Sequence, residues 1–237
     1  ALPAKEFQLL MANESDIVRT HAARILAERE KWGDVESGAA LKLFEDSQPM
    51  VRRAAADALS RHPQQEFLLK LLNQLAQTPA TDPFLRHTIR IAVRNHLLVD
   101  AIATSRPTRD LLDWHAAEIA DIAPGAPTEA AADLLLTTLQ QGVKLPGRQA
   151  DQIRQVARYA SPQRLHTFVD QLAGSKSPAP EQLRELLAVA AGLEARNVAP
   201  AEYVGCCPGT IYRRARGNAG FAAELRKARA QSEMTLL

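Results

Sequence analysis

Aromatic side chains are scarce: six Phe, three Tyr and two Trp in 237 residues, or 5%. That scarcity argues against a groove lined with stacking rings. Cysteine is limited to the adjacent pair Cys206 and Cys207. Neighbouring cysteines bridge each other only with strain, so two reduced thiols are expected, without a disulfide framework. No CxxCH occurs, which excludes a c-type haem attachment on this chain. The 11 Gly are scattered and form neither GxGxxG nor GxxxxGK[ST], so no phosphate-cradling loop is present. None of the six His (His21, His62, His87, His96, His115, His166) pairs with Cys or another His at the spacing of metal ligands. No cofactor is implied. No apolar run reaches the roughly 20 residues of a membrane span. The start, ALPAKEFQLLMANESD, lacks the basic head and apolar core of a signal peptide and has no initiator Met, so the chain is expected to begin inside a longer protein or to have been processed.

What the chain does have is Ala and Leu, within 46% hydrophobic residues, which favours helices because these side chains lose little entropy there. It also repeats itself. ESDIVRTHAARILAER, DSQPMVRRAAADALSRH and TDPFLRHTIRIAVRNH share an aliphatic-Arg pair at Val18-Arg19, Val51-Arg52 and Leu85-Arg86. The interval is 33 and then 34 residues, within the range of helical repeat arrays. Each echo opens on a helix-start signal: Ser15, Ser47, and Thr81 or Asp82 as caps, with Pro49 and Pro83 suited to the first helical position. Apolar residues then recur at three and four: Ile17 or Val18, Ala22, Ile25 and Leu26; then Val51, Ala54, Ala55, Ala58 and Leu59. ESGAALKLFED and QQEFLLKLLNQLAQ lie between the echoes, so each unit reads as a pair of helices that buries its core only by stacking.

The expected fold is therefore all-α: an α-solenoid of HEAT-like antiparallel helix pairs wound as a right-handed superhelix. The echoed segment is the second, buried helix of each unit. Its Arg either pairs with an acidic or capping group of the adjacent unit or lies solvated on the helix shoulder. Beyond residue 98 the repeat blurs while helices continue through TRDLLDWHAAEIADIA, TEAAADLLLTTLQQG, GRQADQIRQVARYA and QRLHTFVDQLAG. GSKSPAP (174–180) is the linker candidate, followed by EQLRELLAVAAGLEARN. The expected organisation is a solenoid over 1–174 and C-terminal helices over 175–237 that close it.

Arg86, Arg90 and Arg94 are spaced by four and should share a helix face. With Arg53 they form the candidate interaction surface, for a protein partner or a neighbouring module of the same parent chain. The alternative for this stripe is a solvated face with acids nearby. DLLDWH (110–115) groups two Asp, a Trp and a His. On one helix Asp110 and Trp114 would share a face, as would Leu111 and His115, so a HEAT-fold DNA glycosylase using Asp110 or Asp113 is a further alternative, opposed by the poverty of aromatics.

The tail is basic within a chain of net charge +2. Residues 205–237 carry Arg213, Arg214, Arg216, Arg226, Lys227 and Arg229 against Glu224 and Glu233. AEYVGCCPGTIYRRARGN reads as helix, turn, helix, and over 199–237 resembles the helix-turn-helix of phage- and transposase-type DNA-binding proteins. That resemblance implies Thr210, Tyr212, Arg213 and Arg214 facing the groove of DNA and Arg216 its backbone. The other reading of the tail is a basic amphipathic helix that caps the solenoid.

From about 15 to 200, DPFLRHTIRIAVRNHLL, ADIAPGAPTEAAADLLLTTLQ, IRQVARYASPQRL and LLAVAAGLEARNVAP occur in order. This resembles the HEAT-repeat segment of planctomycete-type putative membrane-bound dehydrogenases, the haem-binding CxxCH proteins. The resemblance implies a non-catalytic scaffold segment of a larger, extracytoplasmic multidomain redox protein, whose redox chemistry sits on modules absent from this sequence. The DNA-binding reading implies a cytoplasmic protein instead.

Overall fold

The computed structural model describes residues 4–143, 145, 147–175 and 178–196. Among the described residues there is no strand; thirteen α-helices and one short 3₁₀ turn account for the regular structure. The fold is all-α, built of HEAT-like helix pairs. Contacts sort the chain into two compact units that part between Glu118 and Ile119.

In unit 1 the pairs are α1 (Ala4–Met11) with α2 (Asp16–Glu28), α3 (Asp34–Phe44) with α4 (Pro49–Arg61), and α5 (Gln65–Gln77) with α6 (Pro83–Leu97). The second helices form one layer, with α4 packed on both α2 and α6. Small side chains permit that closeness: Ala22, Ala23, Ala55, Ala56, Ala58 and Ala92 are fully buried between larger Leu and Phe residues. Aromatics fill the other layer, where Phe44 and Phe67 are buried. Each fully buried Leu contributes about 1.5–3 kcal/mol through area removed from water.

Pro49 and Pro83 occupy the first turns of α4 and α6, and Asp82 caps α6 by accepting the Leu85 N–H at 3.1 Å. The cap expected of Ser47 is absent. The helix starts after Gln48, and Asp46 Oδ1 accepts the Gln48 N–H at 2.9 Å instead. Asn13 does the same one repeat earlier, accepting from Ser15 N–H at 2.9 Å, so these short polar side chains shape the loops by Asx turns.

The segment TRDLLDWH departs from a single helix. A short α7 (Asp100–Ala103) is followed by α8 (Arg106–Asp110), then a break, then α9 (Leu112–Ile122) with a kink at His115 (φ −126°, ψ 23°). Ser105 caps α8 by accepting the Thr108 N–H, and the buried Thr108 and His115 anchor the break. Asp110 and Trp114 therefore do not share one regular helix.

In unit 2, the 3₁₀ turn Ala123–Gly125 leads to α10 (Glu129–Gln140), α11 (Gln149–Tyr159), α12 (Pro162–Gly174) and α13 (Ala179–Glu194). Gly142, at φ 81°, ends the segment after α10 in a conformation that costs glycine nothing. The α13 helix packs on α11 and α12, so GSKSPAP connects helices within unit 2. Gly192 makes that packing possible: a Cβ there would lie 2.4 Å from the Arg154 carbonyl oxygen.

Candidate interaction face on the second helices

The repeat arginines bind backbone. Arg19 Nη1 donates to the Asn13 and Glu14 carbonyls at 2.8 and 2.9 Å. Arg52 Nη1 repeats this on the Asp46 and Ser47 carbonyls at 2.8 and 2.9 Å. Arg86 Nη1 reaches the Thr78 carbonyl, and that of Leu75 at 3.2 Å, at the end of α5. Each therefore satisfies carbonyls of the loop or helix end just before its own helix. Arg19 also crosses to the next repeat, donating from Nε and Nη2 to Asp46 at 2.7 and 3.0 Å. That pairing, together with the Gln48 N–H, holds the Asp46 carboxyl below its ordinary range. One repeat on from Asp46 the sequence has Pro79 and Ala80, which offer Arg52 no carboxylate, and its Nε is buried without a hydrogen-bond partner.

A second periodic feature joins the two layers. Arg29, His62 and His96 follow one another at the repeat interval at the ends of α2, α4 and α6. Each faces an aromatic ring: the Arg29 guanidinium lies 4.8 Å from Phe7, His62 stacks on Trp32 at 4.2 Å, and His96 meets Phe67 edge-on at 6.2 Å. Trp32 in turn donates its indole N–H to the Leu26 carbonyl at 3.0 Å. Burial pushes the basicity of both imidazoles down, most plainly for His96, which is 0% exposed with Nδ1 2.7 Å from the Ala92 carbonyl oxygen. These histidines are packing residues.

The exposed sides of α2, α4 and α6 repeat in register. Their second residues are Ile17, Met50 and Phe84, exposed by 62, 62 and 67%. One turn on come Thr20, Arg53 and His87, then His21, Ala54 and Thr88, then Arg24, Asp57 and Ile91. The members of these rows, Ile17, Phe84 and His21 apart, line a groove of about 440 Å³. Its cations are Arg24 and Arg53, both exposed, with the His87 imidazole beside them. The Arg53 guanidinium rests 5.3 Å from the Phe84 ring, which holds it at the groove. Asp57, the carboxylate among the lining residues, is engaged by Arg61 at 3.2 Å.

Of the residues expected from sequence, the structure brings Arg53 to this groove. Arg86, Arg90 and Arg94 lie on α6 and are half-buried. Arg86 is committed to carbonyls, and Arg94 donates to Asn95 Oδ1 at 2.8 and 3.2 Å. Asn95 in turn holds Ser60 of α4. The apolar spacing leaves Ile17 or Val18 for the inward face; the structure turns Ile17 outward, and Met50 and Phe84, which that spacing does not mark, stand exposed with it. The same period that aligns Arg19, Arg52 and Arg86 also aligns these three, two positions earlier.

Asp110 and Asp113 are exposed and Trp114 is 78% exposed; Asp110 faces Arg106 at 3.9 Å. Among the described residues no group of three or more His, Cys, Asp or Glu is placed to hold a metal ion, and no helix is long and apolar enough to cross a membrane. Thr210, Tyr212, Arg213, Arg214, Arg216, Cys206 and Cys207 lie outside the described residues.

Stacked helix pairs with a periodic face give unit 1 a helical-repeat fold. Residues 5–94 match the family of HEAT repeats. No curated protein and no solved structure matches the chain.

Proposed function

We propose that this chain is a non-catalytic scaffold that takes a protein partner on the exposed face of α2, α4 and α6, with Arg53 at its centre, beside the half-buried Arg86, Arg90 and Arg94 of α6. The observation that carries this reading is the row Ile17, Met50 and Phe84. A single exposed apolar side chain is ordinary, but three large ones at one position of three adjacent helices form the kind of apolar patch that partners cover. The core does not need them, since their helices bury the opposite side.

The experiment compares proteins retained from host extract by the wild-type chain and by a Met50→Ser, Phe84→Ser variant, followed by direct titration with the purified candidate. A partner whose affinity falls at least tenfold in the variant supports the scaffold reading. Partners bound equally by both proteins would remove this face from consideration.

A second reading rests on the basic segment 205–237: binding of duplex DNA through Thr210, Tyr212, Arg213, Arg214 and Arg216, with the helical repeats as platform. Its support is the local charge excess, which suits phosphate contacts. Placement within a larger multidomain redox protein rests on the sequence resemblance; a CxxCH downstream in the full reading frame is the observation that tests it.

A further inference from the structure

We infer that the occupant of the α2–α4–α6 face is an amphipathic α-helix of a partner protein whose flank carries acidic residues. This rests on the scaffold reading above and adds the chemistry of the partner.

The helical form follows from spacing. Ile17, Met50 and Phe84 all stand at the second position of their helices, and α4 packs directly on both α2 and α6. Packed helices lie about 8–10 Å apart, so the apolar row repeats at about that interval. A β-strand presents same-face side chains about 6.6 or 13 Å apart, and neither matches. A helix returns to one face after seven residues, a rise of about 10.5 Å. A partner helix lying across the three second helices therefore sets apolar residues at i, i+7 and i+14 on Ile17, Met50 and Phe84. Its intervening i+3 and i+4 residues lie on the same stripe. About 15 residues span the row.

The acidic flank follows from charge. One and two turns along from the apolar row the groove offers Arg53, Arg24 and His87. Asp57 is already engaged by Arg61. Arg53 is held against Phe84, so its guanidinium is placed for a bidentate carboxylate with little further ordering. A helix with Glu or Asp beside its apolar stripe satisfies both rows. The basic segment 205–237 has the wrong sign for this face, in keeping with an occupant from a separate protein.

The test is selection of a displayed library of random 16-residue peptides on the full chain, followed by titration of the enriched sequences as synthetic peptides. The expected result is enrichment of acidic peptides with apolar residues at helical spacing. A central proline should weaken them at least tenfold. Arg53→Glu should weaken them to a similar degree, and exchanging the facing Glu for Lys in the peptide should restore binding to that variant. Because Arg53, Met50 and Phe84 are exposed, circular dichroism and urea midpoints of the variants should match wild type. Enriched peptides that are cationic, or that tolerate proline, yet still depend on Met50 and Phe84, would overturn this inference and leave the scaffold reading standing. No enrichment, or peptides indifferent to Met50→Ser with Phe84→Ser, would overturn both.

Discussion

Arg19 and Asp46, 27 residues apart, meet through two hydrogen bonds at 2.7 and 3.0 Å. Arg19 starts from the second helix of one repeat, and Asp46 shapes the loop that opens the second helix of the next. The pair thus ties loop geometry in one repeat to stacking between repeats.

Asp46→Ala should lower unfolding free energy by about 2–3 kcal/mol, since it removes charge-assisted bonds to a largely shielded partner and the Asx turn at Gln48. Urea denaturation at pH 7 measures it. Arg19→Met should also destabilise, and the double variant should cost less than the sum, because the two changes remove one interaction. Strict additivity would show that the pair is not coupled. Asp46 is held below its ordinary range when folded, so its contribution is present above about pH 4 and disappears as acid protonates the folded carboxyl.

Acid should act earlier through His96. Burial lowers its affinity for protons in the folded state, whereas the unfolded chain binds them from the ordinary histidine value of about 6.5. The unfolded state then carries more protons, so stability is full above about pH 6.5 and falls as pH drops below it. His62 adds in the same direction, through burial first and the neighbouring Arg61 charge as a lesser cause. The urea midpoint of the wild type should decline between pH 7.5 and 5.5, and His96→Leu should flatten part of that decline. An unchanged slope in the variant would assign the acid sensitivity elsewhere.

Gly192→Ala should destabilise unit 2. The new methyl would meet the Arg154 carbonyl oxygen at 2.4 Å and the Ala157 Cβ at 2.6 Å, and backbone cannot swing aside as a side chain can. Overpacking of this kind costs about 1–3 kcal/mol, despite the better helix propensity of Ala. Gly38→Ala in α3, where a Cβ meets nothing within 4 Å, should instead be neutral or stabilising. Thermal denaturation of the two variants distinguishes the outcomes by sign.

The tail reading predicts binding of duplex DNA that weakens steeply with salt and is lost with Arg213→Ala plus Arg214→Ala. Fluorescence anisotropy at about 50 mM salt is the most favourable condition for detecting phosphate contacts. Absence of binding there removes the DNA reading and leaves the scaffold reading untouched.

Much of unit 1 was legible because it follows from short-range chemistry repeated at one interval. Val51, Ala55, Ala58 and Leu59 recur at three and four and are buried, and Pro49 and Pro83 stand in first turns because a helix start has no use for their missing N–H. The repeat arginine was open between a solvated shoulder and a partner in the next unit. For Arg19 the structure selects the partner. Ser47 was a plausible cap by residue type, but Asp46 next to it takes the N–H that defines the loop. The break between α8 and α9 was hidden because DLLDWH has no Gly or Pro to mark it. Tertiary anchors, Ser105 on Gln65 at 2.7 Å and His115 on Asn73 at 3.0 Å, decide it instead.

The sequence by itself determined the helix pairs, their interval and which stripe of each helix turns inward, because propensity, capping and apolar spacing all act within a few residues. Only the tertiary structure decided what the outward stripes amount to. Stacking in register turned Ile17, Met50 and Phe84 into a row beside Arg53, and drew Arg86 away from the surface to carbonyls that an isolated helix would never meet. Register between helices is set by contacts between residues some thirty positions apart, and local spacing carries no information about which of them will share a face.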